Sequence, residues 1–252
     1  KLVVTMDFDQ QQLETIAGIA LEKAKALGAT EAGVNVSQGA GFSVTGRLQD
    51  VETIEHHRDQ GMGITVYLNQ QKGSASSSDL SPAAVAETVT KACSLASYAA
   101  KDDCAGLADP KRLASSWPDL DLWHPWGISV VDAIALSLEC EAAARAVDTR
   151  ISNSEGATVS AAEGISLYAN SNGFMGVYPD SHHSVSCSVI AQEGDEMQRD
   201  YEYTASRVPE ELRAAAEVGQ EAGLRTVQRL GSRKLDTRNT PVIFPARLAR
   251  GL

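Results

Sequence analysis

The stretch GITVYLNQQKGSASSS, Gly63–Ser78, decides how the rest of the chain is read. GITVYLN carries a period of two, NQQKG reads as a turn, and SASSS as the returning strand. Working back, VETIEHH continues the same period, and AGVNVS places Ala32, Val34 and Val36 on one face. These are antiparallel strands joined by short loops, and a helix stands on either side of them. Asp9 as N-cap with Gln12 as a capping-box partner opens the first, whose Leu13, Ile16, Ala17, Ala20, Ala24 and Leu27 recur at helical spacing until Gly28. Ser81-Pro82 opens the second, through Val85, Val89, Cys93 and Ala96.

Between Lys101 and Gly127 the periodicity lapses. Pro110, Pro118 and Pro125 punctuate an irregular passage whose tryptophans are expected to pin it to the body of the protein. The pattern then repeats. Ser129 and Asp132 cap a helix to about Val147, strands run from Ile151 to Arg207, and Pro209 is expected to begin a helix ending near Gly231. SVSCSVIA alternates Val185, Cys187, Val189 and Ala191, and MQRDYEYT alternates Met197, Arg199, Tyr201 and Tyr203. Strands cluster between helices instead of alternating with them, so the predicted class is α+β: antiparallel β-meanders flanked by amphipathic helices. The expected division is an N-terminal subdomain over 1–110, a second over 111–235, and the start of a truncated C-terminal portion over 236–252. In that last piece Pro241 opens an apolar run, Val242-Ile243-Phe244, read as a buried strand. Pro245 then starts a helix with Leu248 and Leu252 on one face, so the natural polypeptide is expected to continue past Leu252.

At 252 residues and 43% hydrophobic the chain can bury a full core. Its formal charge of -11 repels phosphate backbones, so direct nucleic-acid binding is not expected. The local basic set Arg225, Arg229, Arg233, Lys234 and Arg238 reads as a solvated helix end complementing the helix dipole. Cys93, Cys104, Cys140 and Cys187 are widely spaced with no Cys-x-x-Cys pair, which argues against a disulfide framework and for a reducing compartment. KLVVTM is too short for a signal-peptide core, and no apolar run approaches a membrane span; a cytoplasmic location is expected, with no membrane partner.

Chemistry-bearing motifs are scarce. A zinc peptidase helix needs two His at i and i+4 with a Glu between, and none is present. His56-His57 and His182-His183 are adjacent pairs whose rings point to opposite faces of a strand, which suits surface or pairing roles better than ligation. His183 and Cys187 share a face but lie ~13 Å apart along it. His124, between two tryptophans, reads as a packed loop residue. GAGFSVTG and GMGITV lack the third glycine of a dinucleotide fingerprint, and their glycines are read as bulges or turns in a sheet. The serines of GSASSS and SVSCSV have no nucleophile elbow and read as solvent-facing strand positions. Glu193, Asp195 and Glu196 fall in a hairpin turn around Gly194. ISNSEGATVS and YANSNGFMG read as two Asn-Ser-rich turns separated by a short strand; the alternative is a loop or exposed edge that meets an extended peptide by strand addition. No catalytic, cofactor-binding or metal-binding residue is assigned to the chain.

GITVYLNQQKGSASSSDLSP, CAGLADP…PDLDLWHP, RISNSEG, VIAQEGDEMQRDYEYT and the terminal RKLDTRNTPVIFPARLARGL together resemble the TldD/PmbA family over nearly the whole chain. The resemblance implies a cytoplasmic α+β protein of a family described as modulators of DNA gyrase and as halves of a metalloprotease that trims peptides. It also implies that the strand matching PVIF leads into a helix which, in zinc-bearing members, carries a His-Glu-x-x-x-His motif. No such residue can be carried to a position here. The chain is therefore read as the N-terminal part of a noncatalytic subunit that assists a zinc-bearing TldD-like partner on unfolded or extended peptides. Zinc is expected in that partner and not in this chain, and a homo-oligomer is possible. The alternative is a binding module acting on gyrase or gyrase-directed peptides with no protease role.

Overall fold

A computed structural model describes residues 8–249 and 251; the KLVVTM stretch and Leu252, the companion of Leu248 in the terminal helix reading, lie outside the described residues. The elements are α1 (Gln10–Ala26), β1 (Glu31–Arg47), β2 (Asp50–Leu68), β3 (Gln71–Ser77), α2 (Pro82–Tyr98), α3 (Val130–Arg145), β4 (Ile151–Asn170), β5 (Met175–Glu193), β6 (Glu196–Ser206), α4 (Ala215–Gln228) and a single turn, α5 (Ala246–Ala249). The strands form one antiparallel sheet in the order β3-β2-β1-β4-β5-β6, so β1 and β4, from the two halves of the chain, lie side by side at its centre.

Local chemistry sets most of the boundaries. Asp9 accepts the N–H of Gln12 at 3.0 Å, Ser81 that of Ala84 and Ser129 that of Asp132, so each N-cap satisfies one orphan donor of its helix. The β1–β2 turn is less conventional. Leu48 and Gln49 both take positive φ, 53° and 67°, as a two-residue hairpin turn of the primed type requires, yet neither is glycine. The strain is offset from across the molecule: the buried Glu141 carboxylate on α3 accepts the N–H groups of Leu48 (2.7 Å) and Gln49 (3.0 Å). Asn69 and Gln70 repeat the same turn between β2 and β3.

Helices α1 to α4 cover one face. Leu13, Ile16, Val85 and Val89 of α1 and α2 pack on Val34, Val36, Ile64 and Leu167. Cys140 and Ala144 of α3 and Val218 of α4 pack with Phe42, Val44, Val185 and Val189. Val34, Val36, Phe42 and Val44 have the same parity along β1, so both clusters lie on the same side of the sheet. Helix α4 reaches α3 closely because Gly219 and Gly223 carry no side chain; a Cβ there would overlap the carbonyl oxygens of Cys140 and Ala144. No described helix is long and apolar enough to cross a membrane.

Four expectations are corrected. Val242, Ile243 and Phe244 form no strand: they are exposed, with no strand beside them among the described residues to bury against. Pro209 begins only a 3-10 turn, because Arg213 turns back to β6 through Thr204 and Glu202, and the helix starts at Ala215. ISNSEG is no turn but the bulged start of the 20-residue β4, with Gly156 at φ +98° absorbing the extra residue. Gly39, Gly41, Gly61 and Gly63 are neither bulges nor turns; the β1–β2 register runs unbroken past all four and shifts only between Thr45 and Gly46.

Candidate functional site

Among the described residues the face opposite α1 to α4 is covered by no second sheet or helical layer. Antiparallel register places Asp59, Gly39, Gly164 and Asp180 in one row across β2, β1, β4 and β5, and His57, Gly41, Ala162 and His182 in the next. Gly61, Ser37, Ser166 and Tyr178 form a third row. The two central strands thus supply a floor almost without side chains, and the two flanking strands supply walls of His and Asp. The resulting trough is a pocket of about 390 Å³. Its walls lean inward: the His57 ring reaches within 2.8 Å of where a Cβ of Gly41 would stand, and Asp180 Oδ1 within 3.2 Å of that of Gly164. Asp180 is held by Arg207 at 3.4 Å.

Two further features adjoin the trough. β3 pairs with β2 only over Met62–Leu68, so from Val51 to Gly61 the outer edge of β2 has no strand beside it among the described residues. At the other side, the irregular linker folds back on β4 and β5 and closes a second pocket of about 510 Å³, lined by Trp117, Leu120, Trp123, Tyr168, Phe174 and Tyr178 among others. Trp117 packs on Phe174 with centroids 5.4 Å apart, and Phe174 on Tyr168 at 5.9 Å. The linker is stitched to β5 where β6 has ended: Ser181 donates its N–H to Leu122 O (3.0 Å), and its hydroxyl accepts the N–H of His124 (2.9 Å).

The residues weighed from sequence separate cleanly. His57 and His182 flank the trough from opposite sides, a relation hidden in the sequence because it depends on the β1–β4 pairing. His56 points to the helix side and packs on Phe42. His183 is fully buried, donates from Nε2 to His124 O at 2.8 Å and packs against Trp126; burial lowers its pKa. Cys187 lies buried against Cys140, whose contact, with burial, pushes its thiol far up; all four cysteines are free. His124 rests beside Asp121 at 3.2 Å. Of the basic set at the end of α4, Arg225 is half-buried and pairs with Asp200 and Glu202 of β6, while Arg229, Arg233, Lys234 and Arg238 are exposed as expected, with Arg229 also reaching Asp200 at 3.4 Å. Among the described residues no three His, Cys, Asp or Glu side chains converge as metal ligands.

An antiparallel sheet with α1 to α4 on one side and a glycine-floored face on the other makes this an α+β module. Residues 32–96 match the PmbA/TldA metallopeptidase domain 1 and residues 123–230 the PmbA/TldA metallopeptidase central domain, and the chain belongs to this PmbA/TldD family. It is 42% identical over its full length to the metalloprotease PmbA of Escherichia coli O157:H7, covering 56% of that protein, and 42% identical over 96% of its length to the PmbA homologue of Haemophilus influenzae, covering 54%. The chain thus spans about half the length of the curated relatives it matches. Among solved structures, a Bacteroides thetaiotaomicron protein described as a candidate modulator of DNA gyrase superposes with a TM-score of 0.81 at 25% identity, over 91% of this chain and 52% of that one. TldE of Thermococcus kodakarensis gives 0.62 at 14% identity, over 85% and 47%, a likeness of fold alone.

Proposed function

We propose that this chain is the peptide-holding part of a noncatalytic, cytoplasmic PmbA/TldE-type subunit, which keeps an unfolded or extended polypeptide on its open β-face for a zinc-bearing TldD-like partner to cleave. The observation that carries the reading is the kind of glycine found on that face. Gly39, Gly61 and Gly63 have no left-handed backbone, and a Cβ at each would meet only Glu163 O at 3.5 Å, Ser77 O at 3.8 Å and nothing within 4 Å. Glycine in a strand costs stability, so three glycines that neither conformation nor packing demands mark a place where another backbone comes close. The bare edge of β2 beside them adds main-chain donors and acceptors of the kind an extended peptide pairs with. Among the described residues His57 and His182 are held apart by two strands and do not make a peptidase zinc site, and no step of hydrolysis is assigned to them.

The test is digestion of unfolded casein by the full-length protein, alone and with a TldD-type partner, with a chelator as control. Chelator-sensitive digestion only in the mixture is the expected result. Digestion by the protein alone overturns the noncatalytic assignment. Absence of digestion by the pair favours a binding module, the function suggested by the name of the Bacteroides neighbour.

A further inference from the structure

We propose, resting on the peptide-holding reading above, that the aromatic pocket at the linker end of the open face selects a positively charged side chain of the bound peptide, arginine above all. The pocket and the trough are continuous along β5: Gly176 and Tyr178 line the first, Asp180 and His182 the second, at successive positions of one face. Two residues of extended chain advance about 6.6–6.8 Å, so a peptide lying along β5 in the trough presents a side chain to the pocket.

The pocket's chemistry then decides which side chain. Its walls are aromatic, Trp117, Phe174 and Tyr168 packed in sequence at tilted angles of 45° and 43°, and among the described residues its charged lining residues are the carboxylates Asp119 and Asp121. They sit at the pocket's rim: Asp119 Oδ1 accepts the N–H of Asp121, which takes a φ of 50°, the Asp121 side chain is 82% exposed, and among the described residues its ion-pairing neighbour is His124 at 3.2 Å. A guanidinium is planar and weakly hydrated, stacks on aromatic faces and pairs with carboxylates, whereas a neutral aromatic side chain gains nothing from the two Asp. The chain makes the same recognition internally, where the Arg247 guanidinium lies 5.2 Å from the Tyr201 ring and 5.7 Å from that of Tyr203 while bonding Glu202 at 2.9 Å.

Two measurements on the full-length protein test this. In the first, indole N–H resonances of Trp117 and Trp123 are followed during titration with Nα-acetyl-arginine N-methylamide and with its citrulline counterpart, which has the same shape without the charge. Arginine is expected to shift both signals at concentrations where citrulline does not; equal shifts, or none, overturn the proposal. In the second, fluorescent Gly/Ser/Thr decapeptides with one central Arg, citrulline or Phe are compared by anisotropy. The Arg peptide is expected to bind on the order of tenfold tighter than the citrulline peptide. That margin should vanish in Trp117→Ala and in the milder Asp119→Asn/Asp121→Asn, where Asn keeps the side-chain oxygen the loop uses. Equal binding of the three peptides, or tightest binding of Phe, overturns the selection while leaving the trough intact. No peptide binding together with arginine-specific indole shifts sinks the trough reading and supports the pocket as a guanidinium site.

Discussion

Filling the floor of the trough should abolish peptide binding without harming the fold. In Gly39→Val/Gly61→Val the new Cβ atoms meet backbone oxygens at 3.5 Å and 3.8 Å, ordinary contact distances, and neither residue has the positive φ that would strain a side chain. Valine favours strands over glycine on a scale of about 1 kcal/mol and restricts the unfolded chain, so the pair is expected to change stability by roughly 0 to +2 kcal/mol. For a chain of this size each kcal/mol is worth about 2–4 °C, so melting should stay level or rise by up to about 8 °C. The new side chain at position 39 occupies the floor between Asp59 and Asp180, and the one at position 61 extends the β2 wall next to it, so extended-peptide binding should weaken by more than about tenfold, equivalent to about 1.4 kcal/mol. Gly41→Ala is the internal contrast: its Cβ would press on Ala161 O at 2.5 Å and Ala162 Cα at 2.9 Å, so here stability itself should fall. Scanning calorimetry and peptide anisotropy on the same preparations decide the matter. A double variant that melts far below the parent shows that the fold needs these glycines; one that melts normally and still binds peptide shows that the trough is not the site.

Glu141→Ala leaves the N–H groups of Leu48 and Gln49 without their carboxylate, at a cost of about 2–3 kcal/mol once water access to the turn is allowed for, while Glu141→Gln should lose less; a urea midpoint for the Ala variant equal to that of the parent would refute the role given to this residue. His183 titrates below its ordinary value because burial disfavours its charged form; its hydrogen bond to His124 O, then Glu163 and Glu210, oppose that effect, and His182 adds to it. Stability is therefore intact above about pH 6.5 and falls as pH drops below it, because the unfolded chain takes up a proton that the folded one resists, with a slope of up to about 1.4 kcal/mol per pH unit. Urea unfolding between pH 7 and 5 should show this slope reduced in His183→Gln, and parallel curves would rule the group out.

What could be read from the sequence was local. Asp9, Ser81 and Ser129 announce their helices because a cap is chemistry between residues two or three apart, and Val185, Cys187, Val189 and Ala191 announce a buried strand face because alternation needs no partner. What escaped depended on pairing across the chain. Nothing near Ile151 signals that a strand beginning with a bulge will run 20 residues, since its length is set by β1 on one side and β5 on the other. PVIF misled for the opposite reason: an apolar run has the composition of a strand, but a strand forms only where a neighbour supplies hydrogen bonds. The adjacent His pairs were correctly divided between two faces, yet only the register shows that one member of each pair, His57 and His182, looks into the same trough.

The polarity of the open face bears on how such a site could be selective at all. Ser37, Ser43, Ser160, Ser166, Ser184 and Ser186 share that face with the floor glycines, so it offers little apolar surface to reward one side chain over another. A ligand held there is recognised through its extended shape and its main chain, which every peptide shares, and binding in the trough should be tolerant of sequence. Discrimination must then come from a place where side-chain chemistry changes abruptly, and along β5 that change occurs between Asp180 and Tyr178, where the glycine floor gives way to the aromatic pocket closed by the linker. The linker that closes the pocket holds to β5 at Ser181 and His183. Ser181→Ala, which removes the hydroxyl that accepts the N–H of His124 and donates to Arg207 O, is therefore expected to loosen recognition of a charged side chain while leaving sequence-tolerant binding unchanged; equal loss of both would show that pocket and trough are one site.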